Sequence, residues 1–271
     1  MEYAHILERE DLEFYGALPL SSCRIIMPRL LCLPSGREIK SVLCFLVPYY
    51  TGDGENVSSY AVSRDYHLYM KELFSRICPA LEEIFEGEEF VGFSDHSPID
   101  ERHAAALCGL GVLGCNHLLI NEKYGSYVFI GEVLSTLPAE KWGFVCTAPE
   151  ISCHACHACL EACPTGCLRG EGECLSSLTQ KKGVLTPDEE KNVRKGGSLW
   201  GCDACQRVCP MNRSQKTPIS FFYQDRITVL NQKNVAEMSD EEFGRRAYSW
   251  RGRSPLLRNL AIMDGGESSS K

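Results

Sequence analysis

Hydrophobic positions along the chain fall into two periods. The run Ser41-Val-Leu-Cys-Phe-Leu-Val-Pro-Tyr-Tyr50 is continuously apolar and closed by Pro48, the pattern of a buried strand. A polar Thr51-Gly-Asp-Gly-Glu55 loop follows. Between Asp65 and Glu86 the apolar positions Tyr66, Leu68, Tyr69, Leu73, Ile77, Leu81 and Ile84 recur at helical spacing, with a break expected near Pro79. Phe90 to Ser94 reads as another strand, and Pro98 to Leu107 as a helix capped by the Asp95-His96-Ser97 turn. His117 to Asn121 and Ser126 to Leu134 read as two strands joined by a turn at Glu122-Lys-Tyr-Gly125. Residues 216–263 look mostly helical, with Ser239 opening a helix, and Gly265 to Lys271 reads as a disordered tail.

These patterns predict an α/β (α+β) domain over residues 1–145, a cysteine-rich module over 146–215 and a short helical C-terminal segment over 216–271. Gly109-x-Gly111-x-x-Gly114 matches a dinucleotide fingerprint, but its glycines follow a helix and precede a strand. A Rossmann site needs the reverse order, so none is expected.

Charge narrows the function. The 271 residues carry 28 Lys and Arg against 36 Asp and Glu, a net charge of −8, which argues against general affinity for polyanions. The charge is uneven, because Gly244 to Leu260 holds Arg245, Arg246, Arg251, Arg253 and Arg258 and no acid. That stretch is either a solvated helix face or a phosphate-contacting patch. The first ten residues are amphipathic and charged, and no apolar run approaches the ~18 residues of a membrane helix. A cytoplasmic chain with reduced thiols and no membrane contact is expected.

In such a compartment clustered cysteines mean metal or redox chemistry. Nine of the sixteen cysteines lie between Cys153 and Cys209. Cys153-His-Ala-Cys156-His-Ala-Cys159-Leu-Glu-Ala-Cys163-Pro164 has the C-x2-C-x2-C-x3-C-P spacing of bacterial ferredoxins, whose fourth cysteine serves a second 4Fe–4S cluster. Cys202-Asp-Ala-Cys205-Gln-Arg-Val-Cys209-Pro210 supplies three more thiolates. Two cubanes need eight, so Cys174 or Cys167 completes the set. Exchange of the last cysteines assigns Cys153, Cys156, Cys159 and Cys209 to one cluster, and Cys163, Cys174, Cys202 and Cys205 to the other. Cys167, four residues past Cys163, is less able to reach around. Zinc ribbons want two pairs of ligands, and disulfide frameworks want small secreted domains; neither fits as well. Of the remaining Cys23, Cys32, Cys44, Cys78, Cys108, Cys115 and Cys146, most read as buried small hydrophobes.

Several segments together resemble the epoxyqueuosine reductase family. They are Tyr60-Ala-Val-Ser-Arg-Asp65-Tyr66-His67, Asp95-His-Ser-Pro98, Cys108-Gly-Leu-Gly-Val-Leu-Gly-Cys115-Asn116-His-Leu-Leu-Ile120 and Tyr124-Gly-Ser-Tyr-Val-Phe-Ile-Gly-Glu132. Cys163-Pro-Thr165, Cys174-Leu-Ser-Ser-Leu-Thr179, Gly201-Cys-Asp-Ala-Cys-Gln206 and Leu256-Leu-Arg-Asn-Leu-Ala261 extend the match. The resemblance covers nearly all of the chain from about residue 40, and it favours Cys174 as the eighth ligand. It implies a cobalamin cradled between the α/β domain and the cluster module, fed with electrons through the clusters. The implied reaction is two-electron reduction of the epoxide on a modified base of a tRNA anticodon loop, giving an alkene and water. Asp95 aligns with the family's proton donor, against its alternative role as a helix cap. The implied cobalamin contacts are Asp95, Leu119, Ile130, Ser176 and Asp203. An external donor of flavodoxin or ferredoxin type, and a monomeric enzyme, complete the expectation.

Two departures bear on substrate. Cys115 stands where the family has Lys, and the chain looks like a short form lacking the family's C-terminal helical repeats. Two other functions therefore compete. One is a cobalamin-dependent reductase of another small molecule, reductive-dehalogenase-like; the other is a ferredoxin-like carrier without cobalamin.

Overall fold

The computed structural model describes residues 3–143, 152–213 and 218–265. The expectations for Cys146 and for residues 266–271 of the tail lie outside the described residues. Two compact units share the chain: residues 1–49, 67–155 and 214–219 form one, and residues 50–66, 156–213 and 220–271 the other.

The first unit contains α1 (Ala4–Arg9), β1 (Tyr15–Pro19), β2 (Ser41–Pro48), α2 (Tyr66–Ile84), β3 (Phe90–Phe93), α3 (Glu101–Leu107), β4 (Val112–Leu113), β5 (Leu119–Ile120) and β6 (Val128–Ser135). Its main sheet is antiparallel in the order β1-β2-β6-β3. All eight residues of β2 are buried, because both faces of the sheet are covered. On one face Val42, Cys44 and Leu46 of β2 and Ile130 and Leu134 of β6 pack with Ala104 and Ala105 of α3. On the other, Phe45 meets Phe74 of α2, ring centroids 6.0 Å apart. Strand alternation places Glu132 on the α3 face, with Ile130 and Leu134.

Four details differ from the sequence pattern. Pro79 lies inside an unbroken α2, on its exposed side, where water can satisfy the carbonyl that the ring leaves without a donor. Helix α3 begins at Glu101 rather than Pro98, and its N-cap is Asp100, whose Oδ1 accepts from the His103 N–H at 3.3 Å. The turn after β5 is closed by reciprocal 2.9 Å bonds between Asn121 and Gly125, but β5 pairs with β4, not with β6. The glycines serve this pairing. Gly109 ends α3 at φ +75°, and a Cβ on Gly111 would lie 2.5 Å from the Ile120 carbonyl oxygen. The smaller thiols also divide: Cys44, Cys78 and Cys108 are buried, Cys23 and Cys115 half-buried, and Cys32 exposed.

The second unit contains α4 (Ala158–Ala162), α5 (Leu175–Gln180), α6 (Pro187–Gly196), α7 (Ala204–Arg207), α8 (Gln232–Glu237), α9 (Asp240–Gly244) and α10 (Ser254–Met263). Helix α9 starts at Ser239 as its sequence suggests, the hydroxyl accepting from the Glu242 N–H at 3.1 Å. Residues 50–66 belong here rather than with the sheet that precedes them. The Ser58 N–H donates to Trp200 O at 2.8 Å, the Leu199 N–H to Asn56 O at 2.7 Å, and Asn56 Nδ2 to Leu230 O at 2.8 Å. The two units are thus interleaved along the chain. Among the described residues no helix is long and apolar enough to cross a membrane.

Candidate cluster module and acid site

The first cysteine run is shaped by its backbone. Ala155 and His157, one in each two-residue gap, are left-handed at φ +48° and +60°. Such a conformation is costly for Ala, and it turns the loop back after each thiol. N–H groups then converge on sulfur. The Ala155 N–H holds the Cys153 thiol below its ordinary value, aided by the Cys115 backbone and thiol, against partial burial. At Cys163 burial pushes upward, but the N–H groups of Leu168, Thr165 and Cys167 and the Thr165 hydroxyl more than offset it. Donors aimed at sulfur favour thiolate, the ligand form, and tune a bound cluster.

The later cysteines form a second group. Burial chiefly pushes the Cys205 thiol up to about 12, with charge on Cys202, Cys174, Asp203 and Cys159 adding to it. Cys202 is raised by burial and by Asp203, Cys174 and Cys163, partly offset by the Ala204 N–H. Cys174 therefore stands within electrostatic reach of both Cys202 and Cys205. Cys167 is raised by burial and by Cys174 and Cys163. Helix α4, which carries Cys159 of the first run and ends at its C-cap, Cys163, packs against α7, which carries Cys205. Among the described residues no three His, Cys, Asp or Glu side chains converge on a single-ion site. N–H donors aimed at Cys153 and Cys163 favour the thiolate form in which cysteine ligates a cluster.

Asp203, between Cys202 and Cys205, is 4% exposed. Its Oδ2 accepts from the Ser59 N–H at 2.6 Å and the Ser59 hydroxyl at 2.7 Å, and its Oδ1 accepts from the Ser58 hydroxyl. Its carboxylate anchors the Ser58-Ser59 turn. Ser176 is half-buried and accepts from Gln180 Nε2 at 3.0 Å. Leu119 and Ile130 are 4% and 6% exposed within the core of the first unit.

Asp95 is placed differently. It is a non-glycine residue at φ +63°, with its side chain 68% exposed, and His67 Nε2 lies 3.9 Å from its Oδ2. It does not cap α3, since Asp100 does. Its own N–H donates to Glu101 Oε2 at 3.1 Å. Burial, then the charge of Asp95, pushes the Glu101 carboxyl up to about 7. Glu132, fully buried on β6, is pushed up by burial to about 8 and accepts from the Ser97 hydroxyl, while its Oε1 has no partner. One exposed acid thus sits on a loop held by a half-buried acid, Glu101, and a fully buried one, Glu132, both with carboxyls pushed up toward neutrality. Neither Glu101 nor Glu132 was expected from sequence; a Glu inside the apolar run of β6 was the available signal. Other buried polar atoms near these segments, His103 Nδ1 and Asn116 Nδ2, also lack partners. They leave polar capacity for a bound group such as a corrin's amides. Cys115 Sγ lies 3.8 Å from Cys153 Sγ.

A family model described as "4Fe-4S double cluster binding domain" matches residues 152–212, and one described as "Epoxyqueuosine reductase QueG, DUF1730" matches residues 34–96. Epoxyqueuosine reductases of Staphylococcus aureus and Listeria monocytogenes are 33% and 34% identical to the chain over 210 and 214 residues, 73% of its length in each case. The chain belongs to the epoxyqueuosine reductase family. It spans about half the length of these curated relatives, 53% and 54%. The epoxyqueuosine reductase of Streptococcus thermophilus has the same fold, with a TM-score of 0.76 at 24% identity over 97% of this chain and 80% of that one. So has an epoxyqueuosine reductase bound to an epoxyqueuosine-modified tRNA-Tyr stem loop, with a TM-score of 0.75 at 22% identity over 96% of this chain and 80% of that one. The catabolic reductive dehalogenase NpRdhA shares the fold more distantly, with a TM-score of 0.50 at 13% identity over 97% of this chain and 35% of that one. The expected mixed α/β fold with its double 4Fe–4S module is therefore present, and the module is that of the epoxyqueuosine reductase family.

Proposed function

We propose that the chain reduces the epoxide of epoxyqueuosine in a tRNA anticodon loop, with cobalamin and two 4Fe–4S clusters as cofactors and Asp95 as the proton donor. Cobalamin, when bound, would supply the two-electron reduction, with electrons reaching it through the two clusters from an external donor of flavodoxin or ferredoxin type. The conversion consumes two electrons and two protons, and the epoxide oxygen leaves as water. Asp95 delivers a proton to that departing oxygen. The observation that carries the reading is the release of Asp95 from any capping role, on a strained loop in a member of this family. Glu101 fixes the loop through the Asp95 N–H, and Glu132 holds it through Ser97. Cys153, Cys156, Cys159 and Cys209 would hold one cluster, and Cys163, Cys174, Cys202 and Cys205 the other. Leu119, Ile130, Ser176 and Asp203, with Asp95, would contact the cobalamin, and the unpartnered Asn116 Nδ2 would add a polar contact. Asp203 also fixes the Ser58-Ser59 turn beside the second cluster. The chain works as a cytoplasmic monomer.

The test is anaerobic titration of cluster-reconstituted protein with Co(II) cobalamin, read by electron paramagnetic resonance, followed by turnover of an epoxyqueuosine-bearing stem loop. A saturable change in the cobalt signal with alkene formation supports the reading. Full iron content without cobalamin binding would reduce the chain to an electron carrier. Cobalamin binding without turnover of this RNA would transfer the activity to another substrate, as in a reductive dehalogenase.

A further inference from the structure

The five arginines between Gly244 and Leu260 do not act as one patch. Arg253 donates to Val235 O and Met238 O, both at 2.6 Å, and lies over the Phe243 ring. Arg258 donates to the carbonyls of Lys181, Gly183 and Leu178. Arg251 stacks on Trp250 with its guanidinium carbon 3.9 Å from the ring centroid. Arg253 and Arg258 are thereby committed to carbonyls of the chain itself, and Arg251 to the Trp250 ring. Arg245 and Arg246 instead join two arginines from elsewhere in the chain, Arg64 and Arg226, around a cavity of about 330 Å³.

Asp225, Ile227 and Glu242 complete the lining. The cavity therefore holds four guanidinium groups against two carboxylates, a net positive site in a chain of net charge −8. Its frame is backbone. Arg64 and Arg246 form a β-bridge, the Asp65 N–H donates to Arg245 O at 2.8 Å, and the Ile227 N–H donates to Val62 O at 2.8 Å. Its floor is preorganised. Arg246 is 3% exposed, gives one bond to the Asp225 carbonyl and sits 3.5 Å from Glu242, yet its Nε is buried without a partner. Arg64 is paired with Asp225 at 2.5 Å.

The rim is less committed. Arg245 pairs with Glu241, both well exposed, an arrangement worth little in water. Arg226 is exposed beside Gly52, and among the described residues its side chain has no hydrogen bond or ion pair. A fixed cationic floor with two available guanidinium groups at the mouth suits a tetrahedral oxyanion, which arginine binds in bidentate fashion.

We propose that this cavity binds a backbone phosphate of an RNA strand, with Arg226 and Arg245 making the contacts and Arg64 and Arg246 setting the field behind them. The inference rests on the tRNA reading above and names the part of the second unit that would meet the RNA. Phosphate neutralisation dominates RNA affinity and makes it salt-dependent, so one such site matters in an acidic chain.

The test is fluorescence anisotropy of a labelled anticodon stem–loop RNA against the full chain across potassium chloride concentrations. The comparison is with Arg226→Ala plus Arg245→Ala, and with Arg9→Ala plus Arg24→Ala as an equal loss of exposed charge elsewhere. The rim variant should bind about tenfold more weakly, with a salt slope lower by roughly 1.5, and the control should match the wild type. Equal affinity and slope in wild type and rim variant overturn the proposal, as does an absence of RNA binding by the wild type. Thermal stabilisation by inorganic phosphate that is lost in the rim variant, with RNA affinity unchanged, also overturns it and makes this a free-phosphate site. Turnover of modified RNA with unchanged rim-variant affinity leaves the functional reading standing alone. Rim-dependent RNA binding without turnover does the reverse.

Discussion

The backbone N–H of Asp95 donates to Oε2 of Glu101, 3.1 Å away, while the cap of the helix that Glu101 begins is supplied by Asp100. The two aspartates at this corner therefore have separable roles. Asp100→Ala should destabilise the fold by about 1 kcal/mol through loss of the cap, measured by urea unfolding. Asp95→Asn should leave stability, iron content and cobalamin binding unchanged and abolish turnover. Retained turnover in Asp95→Asn would remove the acid role, and a stability loss confined to the Asp95 variant would restore it to capping.

The two raised carboxyls give the stability curve a direction. Glu132 titrates near 8 in the folded chain against an ordinary value of 4.5, because burial disfavours its charge. Below the unfolded value both states hold the proton, and the contribution of Glu132 is fully present. As pH rises toward 8 the unfolded chain releases the proton while the folded chain retains it, so stability is lost across that window. Glu101, near 7, loses stability in the same direction. Glu132→Gln removes the larger titration, keeps an acceptor for Ser97, and should flatten the curve. Above pH 8 the variant should exceed the wild type by a few kcal/mol, at about 1.4 per pKa unit. Parallel curves from chemical unfolding at several pH values would show that Glu132 is already ionised.

Cluster ligation is separable by single thiols. Cys174 acts on both Cys202 and Cys205, whereas Cys167 is itself raised by Cys174 and Cys163. Cys174→Ala should lower iron toward four atoms per chain, or leave a cluster with altered resonance, as expected for one of two cubanes losing a ligand (roughly half the iron). Cys167→Ala should keep the full complement. The reverse result would overturn the assignment.

Legibility in the sequence followed the range of the constraint. The cysteine spacing encodes a loop wound around a cluster, and the left-handed Ala155 and His157 are its local expression. The apolar run of β2 and the periodicity of α2 reported burial that neighbouring residues share, so they too were readable. Asp95 is a plausible cap on sequence, and only the register of the first helical turn, which starts after Asp100, shows that it is not the cap. The proton-retaining character of Glu101 and Glu132 depends on what α3 and β6 bury around them, which no local pattern states. The arginines of residues 244–260 looked like one patch because proximity in sequence says nothing of the carbonyls that Arg253 and Arg258 reach.

Asp203 offers the remaining prediction, because its side chain is fully buried next to two proposed ligands. Asp203→Ala removes the acceptor for two hydroxyls and the Ser59 N–H, leaving buried donors unsatisfied. Each such group costs about 1–3 kcal/mol, and partial relaxation should leave a net loss of roughly 2–4 kcal/mol in urea unfolding. Because the same carboxylate joins residues 58–59 to the Cys202–Cys205 turn, the variant should also lose iron faster to a chelator than the wild type. Faster iron loss without destabilisation would mean that Asp203 contacts the cluster environment or a cofactor directly. Destabilisation with unchanged iron retention would confine it to anchoring the turn.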